Sequence, residues 1–303
     1  MRPSKKTLEK HNAFYKPDSD YASFARLLQC KWREKQNYPI QEGKLGNFLP
    51  IDFAKSQKVN FLTDRIKALA QYEVYNICAQ GGLIGEPRLW NNLLSSQPLC
   101  FNLFGELHFD LELASKFFRE FFPERIKEVT AVKFEYSPGR GAAKYTGDYS
   151  AFDAFIEYLN LKGEKSFIGI EVKYAEDLKD DKKKAAATYE KHKDRYTELS
   201  LNSELFPKDS IKKLQELPLQ QVWRDHLLSI ATQADYEDGF FIYLFPSQNQ
   251  ECQDAVDNYV SCLISEDKNR TGFYPCHLES FIKVLRKLVK KQWTRELTER
   301  YLG

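Results

Sequence analysis

Ala151-Phe152-Asp153-Ala154-Phe155-Ile156-Glu157-Tyr158-Leu159, followed by Phe167-Ile168-Gly169-Ile170-Glu171-Val172-Lys173-Tyr174, is the stretch whose reading decides the fold. Each run is short and apolar, as a buried β-strand is, yet each carries charge that such a strand should exclude. The intervening Asn160-Leu161-Lys162-Gly163-Glu164-Lys165 is a polar, glycine-containing connection of hairpin length, which predicts antiparallel neighbours. Side chains alternate along a strand, so Glu171 and Lys173 share one face while Ile170 and Val172 enter the packed one. Asp153 can reach the polar face from the adjoining strand. Two carboxylates and an ammonium group then converge where isolated buried charge is costly unless a cation or close partner offsets it. A hard divalent metal held by oxygen ligands fits that arrangement.

The arrangement resembles the PD-(D/E)xK nuclease superfamily, whose signature is an acid on one strand and Glu-x-Lys on the next. Asp153, Glu171 and Lys173 match it, and Phe152 stands where the name-giving proline would be. Asp148 is a rival for the first acid. The wording from Gly147 to Asp153 and from Phe167 to Tyr174 is similar to a group of prokaryotic nuclease-like proteins. The likeness extends upstream through Asn91-Asn92-Leu93-Leu94-Ser95-Ser96-Gln97 to Gly105, and downstream to Tyr243-Leu244-Phe245-Pro246. It implies an α/β, restriction-endonuclease-like core, a mixed central sheet flanked by helices, with helical N- and C-terminal extensions. It also implies a nuclease using Mg²⁺ or Mn²⁺, with the metal held by Asp153, Glu171 and the backbone carbonyl of Val172. Lys173 would orient water or stabilise developing charge. DNA is favoured over RNA as the substrate, and endonuclease and exonuclease action both stay open.

Glu-x-Lys also occurs at Glu42/Lys44 and Glu266/Lys268, and Asp-x-Lys at Asp177/Lys179, but those contexts lack flanking strands. The plain alternative for Glu171 and Lys173 is an ordinary cross-strand ion pair. Exposed pairs of that kind add little stability and do not require apolar flanks.

Hydrophobic residues make up 42% of the 303 and charged residues 29%, which places the chain among globular proteins rather than disordered ones. No apolar segment approaches the roughly 20 residues that span a bilayer. Met1-Arg2-Pro3-Ser4-Lys5-Lys6 is not followed by an apolar h-region, so a cytoplasmic protein is expected. The six cysteines show no Cys-x-x-Cys spacing, and the adjacent Cys276-His277 cannot alone build a zinc cage. A formal net charge of +2 neither advertises nor excludes a nucleic-acid partner, because phosphate contacts depend on local patches.

Residues 1–60 read as a mainly helical extension, 61–275 as the nuclease-like core and 276–303 as a basic C-terminal helix packed on it. Within the core a helix is expected from Asp64 to Ala79, capped by Thr63 and stopped by Gly81-Gly82, and another from Asp110 to Phe122. Val129–Tyr136 reads as a strand before the charged pair, Lys182–Leu199 and Leu219–Ala234 as helices, and Phe240–Phe245 as a further strand. Helices are expected again over Glu251–Ile264 and His277–Tyr301.

Lys283, Arg286, Lys287, Lys290, Lys291 and Arg295 recur near the C-terminus, opposite an apolar stripe. They read either as a solvated face or as a phosphate-tracking surface. Arg140, in a glycine-flanked turn, can bind phosphate through its guanidinium or simply face solvent. Some of Gln220, Gln221, Arg224 and His226 can face a cleft, and His192 and Tyr196 can touch substrate, although capping, salt bridging, surface exposure or a structural hydrogen bond suits each better. The competing functional class is a non-catalytic nucleic-acid or protein-binding module that retains the nuclease fold. A third is a structural protein with ion pairs only, for which no site-specific divalent binding is expected.

Overall fold

The computed structural model describes residues 2–79, 84–176, 178 and 182–303, with 182–185 as helix backbone only. Helices α1 (Lys5–Lys10), α2 (Asp20–Lys35), α3 (Ile51–Gln57), α4 (Asp64–Ala79), α5 (Arg88–Asn91), α6 (Ser96–Phe109) and α7 (Leu111–Arg119) come first. Strands β1 (Ile126–Tyr136), β2 (Phe152–Asn160) and β3 (Lys165–Val172) follow, then α8 (Lys182–Asn202), α9 (Ser210–Leu214) and α10 (Leu219–Thr232). The chain closes with β4 (Asp238–Phe245), α11 (Gln250–Val260), α12 (Lys268–Thr271), β5 (Phe273–His277), α13 (Leu278–Leu288) and α14 (Gln292–Tyr301). The expected helix stop at Gly81-Gly82 and the Asp177/Lys179 pair lie outside the described residues.

Among the described residues the strands form one sheet in chain order, β1-β2-β3-β4-β5. β1, β2 and β3 are joined antiparallel, whereas β4 runs parallel to β3 and β5 parallel to β4. The parallel steps need crossovers, which α8 to α10 and then α11 and α12 provide. This mixed sheet flanked by helices is the restriction-endonuclease-like α/β fold expected from the sequence.

Strand alternation sorts the sheet into two faces. Ala154, Ile156, Ile168, Ile170, Ile242 and Leu244 share a core with side chains of α6, α7 and α13. Phe155, Phe167, Phe241 and Tyr243 pack on the other side with Tyr196, Trp223 and Tyr259. Each large apolar side chain buried this way contributes about 1.5–3 kcal/mol relative to exposure. Phe152 lies over Gly169, where an added Cβ would stand 2.4 Å from its ring. A residue with a side chain there would have to displace the Phe152 ring, next to Asp153.

Tyr21 and Trp32 from residues 1–60, and Phe281, Trp293 and Tyr301 from residues 276–303, belong to the same core as the sheet. Arg300 is fully buried: its Nη1 donates to the Asn60 carbonyl at 2.7 Å, its Nε to Gln29 Oε1 at 3.1 Å, and its guanidinium covers Trp32. The 275/276 division falls inside β5.

The basic C-terminal stretch is two helices rather than one. Val289 leaves helical geometry at φ −127°, and the Thr294 hydroxyl donates to the carbonyls of Val289 and Lys291, both at 2.9 Å, as the chain re-enters a helix. Lys283, Arg286 and Lys287 therefore sit on α13, Lys290 and Lys291 on the connection, and Arg295 on α14. No described helix is long and apolar enough to cross a membrane.

Candidate active site

The β2–β3 register pairs Ala154 with Ile170, so the next step along the ladder sets Asp153 across from Glu171. On the other side β1 pairs Phe134 with Ala154 and Tyr136 with Phe152, which brings Glu135 beside Asp153. Three acids thus lie in a row across three strands.

The Val172 N–H donates to Asp153 Oδ2 at 2.7 Å. Lys173 Nζ donates to Glu171 Oε1 at 2.6 Å, and Gln221 Nε2 from α10 donates to the same oxygen at 2.9 Å. Glu171 and Lys173 are only 6% and 8% exposed, far below what charged side chains tolerate without partners. Both open, with the half-buried Asp153, on a polar cavity of about 630 Å³ that Glu135, Gln97, Gln221, Arg224 and Asp225 also line.

The electrostatics of this row are unbalanced. Burial, reinforced by the charges of Glu171 and Glu135, pushes the Asp153 carboxyl well above its ordinary range. Burial likewise raises Glu135 to about 7, although Gln97 Nε2 donates to its Oε1 at 2.6 Å. Asp225 is raised to about 8 by burial and by Glu171, and its Oδ2 has no hydrogen-bond partner. Burial alone would lower Lys173, but Glu171, Glu176 and Asp153 outweigh it and hold the ammonium above its ordinary value. Arg26, Arg88 and Arg224 line the same cavity, but Arg26 is taken up by Asp18 and Arg224 Nε hydrogen-bonds no acid, so the carboxyls of Asp153, Glu135 and Asp225 stay raised and a cation among them would relieve their repulsion.

Among the described residues no three His, Cys, Asp or Glu side chains form a preformed metal cage. Asp153 and Glu171 are instead a two-carboxylate set. Mg²⁺ is commonly held by one or two carboxylates, with waters and substrate phosphates completing its shell, so the residues present fit that ion.

Asp148, the rival first acid, is placed differently. Its carboxylate accepts from Thr146 Oγ1 at 2.6 Å, Ser150 N at 2.9 Å, Ser150 Oγ at 2.8 Å and the Tyr196 hydroxyl, and it lines a neighbouring cavity. Arg140 and His192 line that second cavity too. Lys283, Arg286, Lys287, Lys290 and Lys291 are exposed and line neither one, and Lys287 pairs with Glu120 at 2.7 Å.

Glu135, Glu176 and Asp225 escaped the sequence reading, and Gln97 entered it only within the stretch that carries the family likeness. Glu135 had a readable signal, since aligning the predicted Val129–Tyr136 strand against the Asp153 strand places it in the row. It is held at φ 45°, an uncommon conformation for a residue with a side chain. Glu176 receives the amides of Ser96 at 2.7 Å and Tyr174 at 2.9 Å, so it ties the start of α6 to the end of β3.

A family model described as PD-(D/E)XK nuclease superfamily matches residues 16–303. No curated protein and no solved structure matches the chain. The match spans nearly the whole sequence and agrees with the topology of the sheet, and the chain belongs to the PD-(D/E)XK nuclease superfamily.

Proposed function

We propose that the protein is a metal-dependent nuclease that hydrolyses phosphodiester bonds of nucleic acid, DNA in preference to RNA, with Asp153, Glu171 and Lys173 as its catalytic set. The observation that carries this reading is the row of Glu135, Asp153 and Glu171 across three strands beside the buried Lys173, in a cavity open to a polar ligand. Asp153, Glu171 and the Val172 carbonyl would hold Mg²⁺ or Mn²⁺. The chemistry such a cation supplies when bound is polarisation of a phosphate oxygen and acidification of water.

The protein's own groups divide the remaining work. Val172 N–H fixes one oxygen of Asp153, and Gln221 fixes one oxygen of Glu171, so both carboxylates are oriented before any ligand arrives. Glu171, Glu176 and Asp153 hold the Lys173 ammonium above its ordinary value against the effect of burial, and its Nζ reaches Glu171 Oε1, a placement suited to stabilising negative charge on a reacting phosphate or to orienting water. All six cysteines are unpaired, which supports a reducing, cytoplasmic setting.

The test is an assay of purified protein on single-stranded DNA, duplex DNA and RNA, with Mg²⁺, Mn²⁺ or chelator. Cleavage is expected with either metal, is expected to vanish in chelator, and is expected to be lost in Glu171→Gln. Divalent binding without cleavage of any polymer would leave the non-catalytic binding module. No site-specific divalent binding would leave a plain ion pair.

A further inference from the structure

Glu135, Ala151 and Arg224 line both the carboxylate cavity and its neighbour of about 540 Å³, so the two spaces share a wall. Tyr149, Arg140, Lys191 and His192 form much of the outer part of the second cavity. Tyr149 is 63% exposed, and Tyr72 and Tyr75 are exposed too, but it alone of the three lines a cavity that adjoins the carboxylates. Its ring rests beside Gly141, where an added Cβ would lie 3.8 Å from Cζ.

The segment that presents this ring is held in place from several directions. Gly141 N donates to the Asp148 carbonyl at 2.7 Å, and Ser150 N donates to the Asp148 carboxylate at 2.9 Å. Arg195 Nε donates to the Tyr145 carbonyl at 2.7 Å. An exposed ring on a fixed segment gives stacking area at little ordering cost. At the shared wall, Arg224 Nε has no hydrogen-bond partner, and the nearest carboxylates stand 3.6 Å and 3.9 Å away.

We propose that the second cavity seats an unpaired nucleotide next to the scissile phosphate, with Tyr149 stacking on its base and Arg140, Lys191 and Arg224 serving its phosphates. The substrate strand is then single-stranded where it crosses the site. Inside a duplex both faces of each base are covered by neighbours, so an aromatic ring finds a free π-face only on an unpaired base. Cationic side chains around an aromatic platform are the arrangement that tracks a single strand without reading its sequence. This inference rests on the nuclease reading of the adjoining carboxylates.

The experiment measures binding in chelator, so that cleavage plays no part. A single-stranded oligonucleotide carrying 2-aminopurine and a blunt duplex of the same sequence are titrated at one salt concentration against wild type, Tyr149→Ala and Tyr149→Phe. Wild type is expected to bind the single strand about tenfold or more tightly than the duplex and to quench the base fluorescence. Tyr149→Ala is expected to lose about tenfold in single-strand affinity, with the quenching, while Tyr149→Phe keeps both. Unchanged affinity and quenching in Tyr149→Ala would overturn the inference, as would duplex binding as tight as single-strand binding, or no single-strand binding at all. Metal-dependent cleavage insensitive to Tyr149 removes this inference alone. Tyr149-dependent single-strand binding by a protein that never cleaves removes the nuclease reading.

Discussion

Asp148 and Asp153 sit at the two ends of one short segment, and the protein treats them in opposite ways. Burial alone would raise the Asp148 carboxyl, but hydrogen bonds from Thr146 and Tyr196 and the nearby Arg224 hold it below its ordinary range. Asp153 receives a backbone N–H from Val172, yet burial and the facing Glu171 and Glu135 raise it. Burial therefore does not by itself mark a carboxylate that a ligand would complete. What marks it is whether the protein has already satisfied the charge, as at Asp148, or left it for something else to complete.

The largest effect that sharpens this contrast is expected at Lys173. Lys173→Ala should reduce kcat by on the order of 10²–10³, while divalent affinity stays intact or becomes slightly tighter because a cation beside the site is gone. Calorimetry and single-turnover cleavage read the two effects separately, and loss of metal binding in this variant would merge the roles assigned here.

Stability should separate the two aspartates next. Asp148→Asn keeps one acceptor oxygen but sets an NH₂ group against the Ser150 and Tyr196 hydroxyls and removes the charge beside Arg224, and is expected to cost about 2–4 kcal/mol in urea unfolding. Asp153→Asn relieves repulsion and is expected to leave stability unchanged or raise it by about 1 kcal/mol. Equal destabilisation by both would break the comparison.

The same asymmetry predicts a pH dependence. Glu135 rises from its ordinary 4.5 to about 7 in the folded protein, so its contribution favours folding at low pH and is lost as pH climbs through about 7. Asp148 has the opposite sign, with stability present above the ordinary aspartate value and lost as pH falls below it. Metal-free protein should melt at a lower temperature at pH 8 than at pH 5.5, and Glu135→Gln should flatten that slope. A wild-type slope that survives in Glu135→Gln assigns the effect to other groups.

The smallest effect is expected far from the cavities. Replacing Lys287, Lys290 and Lys291 by Gln should weaken DNA association slightly and flatten its salt dependence, by about 0.9 in log–log slope for each phosphate no longer neutralised. The Glu120 partner of Lys287 already reduces what that residue can offer. An unchanged slope returns these lysines to a solvated surface.

The strands that carry Asp153 and Glu171 were legible because their apolar alternation is interrupted by charge, and no packing requirement explains such an interruption. Helix α6 was not legible. Leu99, Phe101, Asn102, Leu103 and Phe104 are all buried, so it has no polar face to give it a period. Strand β5 is short, lies at the sheet edge and contains Pro275, which reads as a break in sequence and is tolerated only at such an edge. Within the site, Glu171 and Lys173 declare themselves by local spacing. Asp225 does not, because it reaches the cavity only when α10 packs on the sheet, a long-range contact without a local signature.

The most direct test is a calorimetric Mn²⁺ titration of wild type, Asp153→Asn and Asp148→Asn, each shown to be folded and each without nucleic acid. Site-specific binding is predicted in wild type and Asp148→Asn and is predicted to be lost in Asp153→Asn. Binding that persists in Asp153→Asn, or disappears in folded Asp148→Asn, would contradict the assignment of the unsatisfied carboxylate to the metal.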